Sequence, residues 1–193
     1  MRTIADHVLD IASNSVAAGA NDIWLDIDQD PAKHLFAFAV RDNGRGMEAD
    51  IRTRVFDPFF TTRPHTIRRF GLGLPFLREN AELTGGGVDL ESIAGEGTTL
   101  RATFHTDHID CLPLGDLAST LFALLVSGDE VRWHIRRCEG SAAYAVGTEE
   151  LRAVFSSEEM ADPQAQLLLL EFLREQERSV VQGDGCESRQ DAI

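Results

Sequence analysis

The apolar run LFAFAVR at 35–41 ends without a break in DNGRGM at 42–47. The run reads as a strand, so the acid at its end, Asp42, is held by ordered backbone. The chain must turn after it, and Asn43-Gly44 is turn chemistry. Glycines at 44 and 46 let the chain turn tightly and leave room for a flat ring beside the carboxylate. Two readings stand on these residues alone. One is a simple Asn-Gly turn. The other is a carboxylate that accepts a hydrogen bond from an exocyclic amine such as adenine N6, a bond that gains strength when the acid is fixed and dry.

The elements around this strand can be read from periodicity. Ile4, Val8 and Ile11 recur at helical spacing, so 3–18 reads as an amphipathic helix that ends in AGAN, with Gly19 near its C-cap. DIWLDI at 22–27 alternates as a half-buried strand does, and residues 30–33 supply a turn into 35–41. A short helix is predicted over 48–56, and an irregular arginine-rich stretch over 58–71. Next come a helix over 74–86 with Pro75 in its first turn and a hairpin over 87–104 around 95–97. After His105 the pattern resets. A helix over 116–128 carries Leu117, Leu121, Leu124 and Leu125 on one face. Short strands are predicted over 130–137 and 142–147. Thr148 is placed to cap a helix, and Pro163 opens a last one over 164–181.

Composition narrows the class. Net charge is −14, shared as 11 basic and 15 acidic residues before position 105 and 7 and 17 after it. So acidic a chain is a poor ligand for a phosphate backbone, which rewards neutralising cations. No run reaches the roughly 18 apolar residues needed to span a bilayer. The acidic N-terminus does not read as a secretion signal. Cys111, Cys138 and Cys186 are scattered, which argues against a disulfide framework or a zinc site. The expectation is a cytoplasmic protein with no nucleic-acid or membrane partner.

Three further stretches carry candidate chemistry. Asp10 and Asn14 are four apart, so they sit one above the other at the edge of the first helix's core face. An acid and an amide oxygen there can serve a hydrated magnesium ion, Asn14 as a neutral ligand and Asp10 on a water. They can equally be solvated polar positions. GLGLPFL at 71–77 sets glycines before a helix start, where free N–H groups suit phosphate oxygens. It lacks the Lys-Ser/Thr pair of a Walker A loop and the third glycine of a dinucleotide fingerprint, and a plain helix-entry turn is the other reading. GEGTTL at 95–100 is a turn with two hydroxyls after it, or simply a hairpin loop with β-favouring threonines.

Taken in order, DIASNSVAAGA, DNGRGM, FDPFFTTR, GLGLPFL and GEGTTL resemble the GHKL ATP-binding fold of histidine kinases, heat-shock chaperone ATPases, type II topoisomerases and MutL mismatch-repair proteins. The resemblance covers roughly residues 1–104. It implies a two-layer α/β (α+β) sandwich, a mixed sheet with helices on one face and ATP between them. It implies that Asn14 binds magnesium and that Asp10 stands where the family commonly has a glutamate as general base. Asp42 matches the adenine-binding aspartate, with Gly44, Gly46 and Met47 in the same pocket. Gly71, Leu72, Gly73 and Leu74 match the second glycine box beside the phosphates, and Thr98 supports the adenine from the far side. Residues 61–70 take the place of the ATP lid. From there Arg63, Arg68 and Arg69 could reach the β- and γ-phosphates, although a solvated loop explains them as well.

The departures shape the functional expectation. Asp10 is one methylene shorter than glutamate, which makes hydrolysis less secure than binding. Ala17 stands where MutL-like proteins have a second acid. The first helix is expected to begin at about residue 3, so a two-helix phosphoacceptor segment before it is not expected. His7 reads as a polar helix flank, and His105 and His108 as an interdomain hydrogen-bonded pair. The chain is expected to be a stand-alone histidine-kinase-like protein that binds ATP and Mg2+. The expected divisions are an ATP-binding domain over 1–104, a small α+β C-terminal extension over 105–181 and a disordered tail over 182–193. The expected role is an ATPase or protein kinase subunit in bacterial regulation. The alternative is a nucleotide-gated module of the anti-sigma kind, with a protein partner engaged through 105–181.

Overall fold

The computed structural model describes residues 1–58, 72–128, 130–156, 160 and 162–183. Within them the chain forms α1 (Ile4–Ala17), β1 (Asp22–Asp30), β2 (Leu35–Asp42), α2 (Ala49–Arg54), α3 (Gly73–Leu83), β3 (Gly87–Ile93) and β4 (Gly97–His105). After these come α4 (Leu117–Leu125), β5 (Arg132–Glu139), β6 (Ala142–Gly147), α5 (Thr148–Val154) and α6 (Pro163–Gln182).

The strands make one six-stranded sheet in the order β3-β4-β2-β1-β5-β6. Among the described strands only β1 and β5 run parallel; every other neighbouring pair is antiparallel, so the sheet is mixed. Alternation selects the buried face. Ile23, Leu25 and Ile27 of β1 are fully buried and pair across with Asp42, Val40 and Phe38 of β2 and with Trp133, Ile135 and Arg137 of β5. The other face carries Trp24, with the Arg41 guanidinium 4.3 Å from its ring centroid and the His134 ring stacked at 5.0 Å.

On the buried face α1 is the central helix. It packs against α3 on one side and α4 on the other, and α6 packs on α4 and β6. Ile4, Val8 and Ile11 press on the sheet, as their spacing requires. Each such side chain contributes about 1.5–3 kcal/mol by leaving water. The start of α1 is well fixed: Thr3 and Asp6 form a capping box, and the Ile4 and Ala5 amides donate to the carbonyls of Pro113 and Leu114. One hydrophobic core therefore contains Ile4, Val8 and Phe38 together with Leu121, Trp133 and Leu173. The sheet and this core run on past residue 105, since β5 takes its place beside β1.

Two local expectations need correcting. Gly147, not Thr148, is the N-cap of α5; the Thr148 hydroxyl instead accepts from the Trp133 amide at 3.0 Å, tying α5 to β5. His7 is not a polar flank but is fully buried, because α3 covers that side of α1.

Candidate functional site

Asp42 ends β2 on the helix-facing side of the sheet, and only 7% of its surface is exposed. A buried carboxylate needs partners, and it has two. The Ser15 hydroxyl donates to Oδ2 at 2.6 Å and the Gly44 amide donates to Oδ1 at 2.9 Å. Each oxygen keeps a lone pair beyond these bonds, so the acid is fixed yet still able to accept.

The loop after Asp42 is held close. Gly46 has φ of 61°, and a Cβ there would overlap the Ile93 carbonyl. The Gly95 amide donates to the Arg45 carbonyl at 2.8 Å. Across the strands, Asp42 pairs with Thr98 of β4, whose hydroxyl lies 2.9 Å from that of Ser92. The β3–β4 turn and the 42–47 loop thus brace each other. Asn43 Oδ1 accepts from the amides of Asn21 and Asp22 at 3.0 Å, anchoring the loop to the start of β1.

A slot opens between α1, the start of α3 and the β2–β4–β3 end of the sheet. Ile11, Asn14, Ser15, Ala18, Val40, Asp42, Met47, Leu74, Leu90, Thr98 and Leu100 line it. Apolar side chains form its walls, and its polar groups are few. That is the chemistry of a site for a flat heteroaromatic ring carrying one donor for Asp42.

The candidate residues distribute around this slot. Asn14, Asp42, Met47, Leu74 and Thr98 line it. Gly44 lies behind Asp42 as its amide donor, and Gly46 lies under the β3–β4 turn. Asp10 is half-buried one turn before Asn14, and its Oδ2 rests against Gly73, the first residue of α3. A Cβ at position 73 would collide with that oxygen, so any larger residue there would push the Asp10 carboxylate aside. Leu72 is the N-cap of α3. Arg63, Arg68, Arg69 and Gly71 lie outside the described residues.

Ser15 was not anticipated. Its signal was available: it continues the Ile4, Val8, Ile11 stripe, so a hydroxyl sits where the periodicity requires an apolar group. His105 and His108, expected as a side-chain pair, meet through the backbone, and His108 Nδ1 accepts from the Asp110 amide at 3.2 Å. The His108 amide donates to the His105 carbonyl, and the His105 amide donates to Thr84 Oγ1 at 3.1 Å. Among the described residues no cluster of three or more His, Cys, Asp or Glu side chains could hold a metal ion. None of the described helices is long and apolar enough to cross a membrane.

A mixed sheet with helices packed on it, and a slot between them lined by a strand-end aspartate and a helix asparagine, is an α+β sandwich with a ligand-sized opening at one end of the sheet. Residues 2–108 match the histidine kinase-, DNA gyrase B- and HSP90-like ATPase family, and the chain belongs to that family. The chain is similar to the sensor protein kinase PilS of Pseudomonas aeruginosa, 35% identical over 88 residues that make up 46% of this chain and 16% of PilS. The sensor histidine kinase WalK of Bacillus subtilis is 28% identical over 103 residues, 52% of this chain and 17% of WalK. The chain therefore spans under a fifth of the length of these kinases. A crystal structure of the N-terminal domain of a DNA repair protein shares the fold, with a TM-score of 0.55 and 12% identity over 76% of this chain and 52% of that one. This is a histidine-kinase-like ATP-binding domain.

Proposed function

We propose that the chain binds Mg-ATP in the slot between α1 and the β2–β4 end of the sheet, and serves as the ATP-dependent subunit of a bacterial regulatory system, either as an ATPase or as a protein kinase. The observation that carries this reading is the state of Asp42: buried, gripped by Ser15 and Gly44, and set in an apolar slot.

The residues fit the adenine ring. Asp42 accepts from the exocyclic amine, Thr98 borders the ring from β4, and Ile11, Val40, Leu90 and Leu100 exclude water from that bond. They also fit a magnesium ion that keeps most of its waters, as this ion prefers. Asn14 would hold it by its amide oxygen. Bound there, the ion neutralises phosphate charge and orients the γ-phosphoryl group. Asp10, one turn away on the same stripe, takes or orients the proton of an attacking water or hydroxyl. The free amides at the start of α3, opened by Gly73, donate to phosphate oxygens.

A second reading has its own support. The region after residue 105 shares the sheet and core of the ATP-binding part, with α4 directly on α1. A nucleotide-dependent shift of α1 would therefore reach that region, as in a nucleotide-gated protein-binding module with little turnover. Incubation with γ-labelled Mg-ATP, alone and with copurifying proteins, separates the readings. Released phosphate means an ATPase, a labelled protein means a kinase, and retained ATP with neither means the gated module. No retention of ATP in any arm refutes the proposal.

A further inference from the structure

We propose that His7 and Asn80 form a positioning pair, a buried hydrogen bond that sets α3 in register against α1 and so keeps the start of α3 on Asp10. This deepens the proposed function and rests on it. Positions 7, 10 and 14 succeed each other at helical spacing along one stripe of α1. Their surroundings differ along that stripe. Asn14 lines the slot, Asp10 meets Gly73, and His7 has no exposed surface and lies 3.0 Å through Nε2 from Asn80 Nδ2.

On α3 the matching groups, Gly73 and Asn80, are two helical turns apart on one face. Leu77 and Ala81, both fully buried, belong to the same packed layer. Apolar contacts alone tolerate a slide of one helix along another; a hydrogen-bonded buried pair does not. A slide of one turn would take Gly73 off Asp10 and put a side chain against its carboxylate.

The pair is unfavourable for folding in its own right. His7 Nδ1 is buried without a partner. Burial also holds the ring neutral, which leaves Nε2 free to accept from Asn80. A leucine at position 7 would remove both penalties. The imidazole does not line the slot, so the geometry it imposes is the role its position allows.

The test compares Mg-ATP with adenosine by titration calorimetry at pH 7.5, alongside thermal unfolding. The variants are His7→Leu, Asn80→Leu, the double variant and His7→Gln. Expected is a His7→Leu protein at least as heat-stable as the parent, with adenosine bound within about twofold of the parent and Mg-ATP about tenfold weaker. The double variant binds Mg-ATP no worse than either single, and His7→Gln, which can still accept from Asn80, recovers most of the loss. Asn80 is only half-buried, so Asn80→Leu carries the same comparison should His7→Leu fail to fold. Parent-like Mg-ATP binding in the folded variants overturns the proposal, and so does an equal loss for adenosine and Mg-ATP. A parent chain that binds neither ligand refutes the function itself, and the pairing's role with it.

Discussion

Ser15 donates its hydroxyl to Asp42 Oδ2 across 2.6 Å of buried space, and so joins the second half of α1 to the end of β2. Hydrogen bonds to charged groups contribute about 1.5–3 kcal/mol. Removing this one leaves the carboxylate on the Gly44 amide alone. Ser15→Ala is expected to weaken adenosine binding by about tenfold without unfolding the protein, whereas Asp42→Asn removes binding because the amide no longer offers a charged acceptor. Titration of both variants with adenosine and Mg-ATP checks the order; unchanged affinity in Asp42→Asn would mean that the ring lies elsewhere.

Gly46 is bound by two constraints at once. Its φ of 61° is disfavoured for any side chain, and a Cβ would run into the Ile93 carbonyl. Gly46→Ala should cost about 2 kcal/mol or more in urea unfolding, by forcing the 42–47 loop away from the β3–β4 turn. Gly95 also has positive φ but has open space around its missing Cβ. Gly95→Ala is therefore expected to cost only about 1 kcal/mol.

Arg137 is the largest charged group in the core. It is fully buried in β5, donates to Gln29 Oε1 at 2.9 Å and to Glu139 at 2.7 Å, and lies 3.6 Å from Glu177 of α6. Tyr144 donates to the same Glu177 at 2.6 Å, and burial first, then the Glu177 charge, push its phenol well above its ordinary range. Breaking such a network strands a buried charge and costs about 3–5 kcal/mol. Arg137→Met should lose about that much in urea unfolding and loosen α6, with adenosine binding retained because the slot lies toward the other edge of the sheet. Adding Glu177→Gln should recover part of the loss.

His7 gives stability a pH dependence. Burial chiefly, with help from the N-terminal charge and against the pull of Asp6, lowers its pKa from 6.5 to about 4. The unfolded chain therefore takes up a proton on this ring before the folded one does. The ring therefore costs no protonation energy above pH 6.5, and stability falls as pH drops toward 4, by about 3 kcal/mol in all. Carboxylates titrate in the same window, so the informative quantity is the difference between parent and His7→Leu. Urea unfolding between pH 4.5 and 7 should show a shallower slope in the variant; equal slopes would mean that folding does not shift the titration of the ring.

The elements that local pattern specifies were legible in the sequence. The Ile4/Val8/Ile11 stripe, the alternation of 22–27 and the Gly19 stop each encode their own structure. Pairing between distant segments was not. Nothing in 130–137 says that this strand runs parallel to β1, because strand partners are chosen by core packing and not by periodicity. The same limit hid His7, whose spacing placed it on a flank and whose burial depends on where α3 lands. Arg137 left a trace, a charge in register with inward Trp133 and Ile135, but its partners Glu177 and Gln29 come from elements far along the chain. Around the slot, Asp42 and the glycines were visible as turn chemistry, and Ser15 only as a hydroxyl out of place in an apolar stripe.

The most direct measurement is a crystal structure of the protein grown with Mg-ATP or a non-hydrolysable analogue. Expected is density for the adenine amine within hydrogen-bonding distance of Asp42, with Thr98 beside the ring and a metal ion held by Asn14. A nucleotide bound away from Asp42, or a slot that stays closed at saturating nucleotide, would contradict the assignment of this pocket.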